Sequence, residues 1–210
     1  MPSVQLPALA TKRRAWNKGR IIGQKRPLLP KQVWAIRARL ELARNLRDLA
    51  LFNVAIDSKI HECDLVKLAV NDLVRDYCIR KRVSVFRSET QRPVQFELSE
   101  NTRDTIAAWI MSPEMLGCRI MFPSRFHDRP HISMRQNGRL VRDWVAAIGL
   151  KPSGYGTHSQ RRTKAAAICR KTGDLRAVQL LLGHTSFDSP VRYLAVEHED
   201  ALSIAGQTDI

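Results

Sequence analysis

The spacing of apolar residues changes twice along this chain, and that change limits the fold more than any other feature. Val33, Ile36, Leu40 and Ala43 recur at intervals of three and four, the period of one helix face. Asn45, with Asp48 three residues on, reads as a fresh helix start, and Leu46, Leu49, Ala50, Val54 and Ala55 continue the apolar face. A short third helix is expected over residues 62–68. The period then drops to two. Val83 and Val85, then Val94, Phe96 and Leu98, alternate with polar residues as half-buried strands do, and SETQR between them reads as a turn. The helical period returns behind Ser99, with Ile106, Trp109 and Ile110. It recurs behind Ser133 and Gln136, a capping-box pair, with Leu140, Val141, Trp144 and Val145. Residues 157–171 predict another helix, stopped by Gly173, and Asp174 opens the next, stopped by Gly183. The expected fold is mainly α with a small antiparallel β-sheet. Trp34, Trp109 and Trp144 stand at core spacings on these helices.

Residues 1–30 do not share this order. They carry Pro, Gly and charge without period, so an extended or disordered arm is expected there, anchored by Trp16, ahead of one domain over 31–210. Ten basic residues precede the first acidic one, Glu41: Lys12, Arg13, Arg14, Lys18, Arg20, Lys25, Arg26, Lys31, Arg37 and Arg39. The whole chain carries a net charge of +15. That balance attracts polyanions, of which nucleic acid is the commonest. No apolar run is long enough for a membrane span or a signal peptide. Cys63, Cys78, Cys118 and Cys169 lack paired spacing, which suits reduced thiols in a cytoplasm. His127 and His131 stand four positions apart without a convincing third ligand, so no metal and no other cofactor is expected.

Three short motifs carry the chemistry. HSQR at 158–161 puts His158 and Arg161 one turn apart at a helix start, where free N–H groups and the helix dipole favour an anion. LLGH at 181–184 ends one helix on His184, and RYL at 192–194 places Tyr193 nine residues later. A guanidinium fork, two imidazoles and a phenol supply a phosphate clamp, proton carriers and a nucleophile. Each alone reads better as an ordinary packing, capping or surface residue.

In their order and spacing these motifs resemble the tyrosine recombinases of the phage-integrase family, over about residues 31–205. The resemblance implies a DNA strand transferase that breaks and rejoins DNA through a 3′-phosphotyrosyl ester on Tyr193. Arg161 would hold the scissile phosphate, His158 would act as base or donor, and His184 would donate to the phosphate. AIDSKIHECDLVKL at 55–68 resembles the family's first catalytic segment, with Asp64 as its acidic, orienting residue.

Two positions depart from the pattern. His61 stands where the family has an arginine, and Glu89, in the hairpin, stands where it has a lysine; Arg87 and Arg92 flank the latter. A histidine cannot fork, and an ionised glutamate repels phosphate. An alternative is therefore an impaired relative that binds DNA or a partner recombinase without cutting. Double-stranded DNA is the expected partner, gripped by Lys12, Arg13, Arg14, Lys18, Arg20, Lys25, Arg26, Arg162 and Lys164. The resemblance also implies tetramers on DNA, in the cytoplasm beside the nucleoid.

Overall fold

The computed structural model describes residues 25–126 and 129–172. Helix α2 (Leu46–Ser58) is its centre, and every residue from Asp48 to Ser58 is buried. A helix that is apolar nearly all round can only sit inside a core. Around it pack α1 (Pro30–Leu42), α5 (Glu100–Ile110) and α7 (Thr157–Thr172), with α3 (Glu62–Leu65) following at its C-terminal end. Helix α4 (Val70–Leu73) and helix α6 (Met134–Ala147) complete the helical set.

Three polar side chains on α2 aim the neighbouring helices. The Asp48 carboxylate accepts from the Trp144 indole N–H at 3.3 Å, which orients α6. Asn53, fully buried, accepts from Arg37 Nε of α1 at 2.7 Å and donates to Asn101 and Thr105 of α5. Asp57 accepts from Ser99 N–H, Ser99 Oγ and Thr102 Oγ1, each at 2.7 Å, and so fixes the start of α5. Buried polar groups must find partners, so these bonds fix the register in which the helices meet.

The strand expectation holds. β3 (Arg82–Phe86) pairs antiparallel with β4 (Pro93–Glu97) in the register Val83 to Phe96, and buried Val83, Val85 and Phe96 lie on one face. A second ribbon, β1 (Val74–Arg75) with β2 (Cys78–Ile79), forms its own two-stranded sheet. Its strands are too short to give a period, so no apolar pattern marked it. The caps at Asn45, Ser99 and Ser133 each accept a backbone N–H three residues on. The short helix expected to reach residue 68 ends at Leu65.

One core expectation fails. Trp109 and Trp144 are buried, the latter edge-on to Phe52 with ring centroids 5.6 Å apart, but Trp34 is 62% exposed. Val33 and Ile36 take the inward positions of α1, and the Trp34 ring lies outside under the Arg37 guanidinium at 5.3 Å. At the other end of the predicted arm, residues 25–29 are docked on the domain. Leu28 is 2% exposed, and its N–H donates to Thr163 Oγ1 at 3.0 Å. Lys12, Arg13, Arg14, Trp16, Lys18 and Arg20 lie outside the described residues. All four cysteines lie within them, and none forms a disulfide.

Candidate active site

Four of the expected site residues line one cavity of about 320 Å3: His61, Glu89, His158 and Arg161. They come from three separate elements. His61 is the residue that precedes α3, with extended backbone (φ −68°, ψ 151°) and a carbonyl that accepts the first helical N–H groups. Glu89 sits in the β3–β4 turn. His158 and Arg161 lie in the first turns of α7, and Arg161 is 4% exposed.

The scaffold of the cavity is hydrogen-bonded. Asp64 Oδ1 accepts from the Ser88 N–H at 2.9 Å, which fastens the turn carrying Glu89 to α3. The Glu62 carboxylate bridges two helices, accepting from Asn137 Nδ2 of α6 at 3.1 Å and from Thr157 Oγ1 of α7 at 2.9 Å. Gly156 N–H donates to Ser159 Oγ at 3.1 Å and closes the α7 start. Glu62, Asn137 and Thr157 carried no signal in the sequence, because their partners are distant in the chain. Asp64 did carry one, through the resemblance.

The electrostatics are mixed. Burial, and then the Arg161 charge, hold His61 below the ordinary imidazole range; Glu89 and Asp64 pull the other way. Burial, then Arg162 and Arg161, do the same to His158. Both imidazoles are therefore mainly neutral at pH 7 and can accept a proton or donate one N–H. Burial pushes the Glu62 carboxyl up despite its two donors. Among the described residues the cavity joins a guanidinium, two imidazoles and two carboxylates, Glu62 and Glu89, a set that can hold an anion at Arg161 and move protons beside it.

Two of the expected DNA contacts, Arg162 and Lys164, make bonds within the fold. Arg162 is 7% exposed, and its Nη1 donates to the Lys25 carbonyl at 2.8 Å. Lys164 Nζ pairs with Asp57 Oδ1 at 2.5 Å. The buried Asp57 carboxylate needs a counter-charge, and α7 packs against α2 where Lys164 supplies it. Lys25 Nζ donates to the Ser153 carbonyl, and Arg26 is exposed. His184 and Tyr193 lie outside the described residues, as does His127. His131 Nδ1 lies 2.8 Å from the Ile132 carbonyl. Among the described residues no three potential ligands gather as a metal site would require, and no helix is long and apolar enough to cross a membrane.

A second cavity, of about 310 Å3, was not expected. Arg47, Arg125, Arg129 and Arg139 line it, together with Ser133 at the start of α6. The sequence offered only overall charge as a hint, since Arg47 stands far along the chain from Arg125, Arg129 and Arg139.

Residues 26–200 match a family described as "Phage integrase family". The chain is 27% identical over 158 residues to "Probable integrase/recombinase YoeC" of Bacillus subtilis, covering 75% of this chain and 82% of that protein. It is 26% identical over 170 residues to "Tyrosine recombinase XerD" of Bradyrhizobium diazoefficiens, covering 77% of this chain and 52% of that protein. Among solved structures it is similar to XerA recombinase, with a TM-score of 0.71 at 17% identity over 89% of this chain and 66% of the other. It is also similar to XerH site-specific recombinase bound to palindromic difH substrate in a post-cleavage complex, with a TM-score of 0.69 at 13% identity over 88% of this chain and 53% of the other. The chain thus spans about half the length of that XerD relative and of XerH.

Proposed function

The chain belongs to the phage integrase family, the tyrosine recombinases, and on that premise we propose that it breaks and rejoins double-stranded DNA through a covalent ester on Tyr193. The observation that carries the reading is the convergence of His61, Glu89, His158 and Arg161 on one cavity. These residues are separated along the chain, and packing alone gives no reason for a buried guanidinium and two imidazoles to meet there.

Arg161 would hold the non-bridging oxygens of the scissile phosphate, where charge builds in the transition state. His158, neutral in the free protein, would take the phenol proton or donate to the phosphate. Tyr193 would displace the 5′ oxygen and keep the bond energy in a 3′-phosphotyrosyl ester, so rejoining needs no cofactor. His184 would add a donor to the phosphate. On the resemblance, His61 and Glu89 would stand where the family has its other cations, and each such donor lost would cost on the order of 10²–10³ in rate. The exposed Arg26, the basic segment before it and the four-arginine cavity would grip the flanking duplex through its backbone. Assembly as a tetramer, or beside an active recombinase, belongs to the same proposal, as does action in the cytoplasm.

The test is a nicked suicide DNA substrate followed by a denaturing gel. A covalent protein–DNA band that disappears in Tyr193→Phe is the expected result. DNA binding without a band at any pH, in the chain and in the double variant His61→Arg with Glu89→Lys, would overturn it in favour of a chain that occupies DNA without cutting.

A further inference from the structure

His61 and Glu89 are more than two losses, because the fold holds them in the same cavity. Asp64 fastens the Glu89 turn to the helix that His61 begins, and both residues line the cavity. The charged and titratable groups that bear on His61 come from every side. Arg161 faces it from α7, Glu89 and Arg87 from the hairpin, and Asp64 from its own helix. His158 and Glu62 line the same cavity, but Glu62 is engaged by Asn137 and Thr157.

The charge count in the cavity then turns on one proton. With His61 neutral, Glu89 opposes Arg161 for any anion that enters. With His61 protonated, the imidazolium offsets Glu89, adds a second N–H donor, and shifts the local charge balance toward an anion beside Arg161. We propose that His61 and Glu89 form a proton-controlled port, through which a DNA phosphodiester enters the Arg161 cavity only when His61 is protonated. The inference rests on the recombinase reading for the identity of the anion but not for the port itself. No bond is made or broken in it. One proton moves between solvent and the His61 ring as phosphate enters.

Because linkage is reciprocal, phosphate in the cavity must raise the His61 pKa if protonation favours phosphate. The direct test follows the His61 ring signal by NMR from pH 5 to 8, in full-length Tyr193→Phe, with and without a short duplex. The duplex should move the His61 midpoint upward by at least half a pH unit, and Glu89→Gln should shrink that movement. An unmoved midpoint with bound duplex would overturn the port. In the suicide-substrate assay the band should strengthen at least tenfold from pH 8 to pH 6. Glu89→Gln should raise the band at pH 8, and His61→Arg should flatten the profile. A band whose pH profile is the same in all three would overturn the port and leave the recombinase reading standing. Absence of a band in every variant would count against the recombinase reading alone, because the NMR midpoint still decides the port.

Discussion

The Asp64 carboxylate accepts the Ser88 N–H at 2.9 Å, and this one bond joins the first helix of the cavity to the turn that carries Glu89. Asp64 is 7% exposed, so water replaces the bond poorly. Two elements that are far apart in sequence thereby form one wall of the site.

That bond sets the first expectation. Asp64→Ala should cost about 1–3 kcal/mol, the value of a hydrogen bond to a charged acceptor that is itself buried. Asp64→Asn, which keeps an acceptor oxygen, should cost less. Urea unfolding monitored by Trp fluorescence measures both, and equal losses would show that the bond is not the cause.

Asp57 is the most heavily bonded carboxylate described. Burial pushes its pKa up, but the Lys164 ammonium and the donors of Ser99 and Thr102 outweigh that and hold it below the usual carboxylate range. A carboxyl depressed in the folded state stabilises the fold above its unfolded pKa of about 4, and the contribution is lost as pH falls from there through the folded value. Asp57→Ala should cost about 3–5 kcal/mol at pH 7, because Lys164 is left without its counter-charge. The difference between variant and parent should narrow toward pH 2, as denaturation curves at both pH values would show.

Lys59 behaves in the opposite sense. It is 4% exposed, and burial, with the nearby charge of Lys164, lowers it to about 8 despite Asp57 and Glu97. Unfolded lysine titrates near 10.4, so between about 8 and 10.4 the unfolded chain binds more protons and stability rises with pH. Lys59→Met keeps the buried stem and removes the charge. It should raise stability at pH 7 by on the order of 1–3 kcal/mol, and the rise in parent stability between pH 8 and 10 should vanish. A parent curve flat over that interval would contradict the assignment.

The tryptophans provide a contrast within one residue type. Trp144→Ala should cost about 3–5 kcal/mol, since it removes a ring packed edge-on to Phe52 and the bond to Asp48. Trp34→Ala should cost under about 1 kcal/mol, the value of an exposed cation–π contact with Arg37. Thermal unfolding of the pair measures the difference.

The helix caps and the hairpin alternation were legible because they are local. Ser99, Ser133 and Asn45 bond to residues three positions away, and Val83, Val85 and Phe96 report their own face of a strand. Trp34 was misread because a period of three or four leaves two adjacent residues competing for the inward position, and only the packing partner decides between them. Arg162 and Lys164 gave no sign of their internal partners for a related reason. Their type announces a cation, but not whether a carboxylate or carbonyl waits inside the fold.

From the sequence alone came the main helices and the β3–β4 hairpin, the expectation of a polyanion partner, and the motif resemblance that would place Arg161, His158, His184 and Tyr193 in one chemistry. Tertiary structure decided which charges face each other. Lys164 meets Asp57 across 107 positions of sequence, and Arg162 meets the Lys25 carbonyl across 137. Apolar periodicity is a property of neighbours along the chain, whereas the energy of a charge depends on what the folded chain brings beside it.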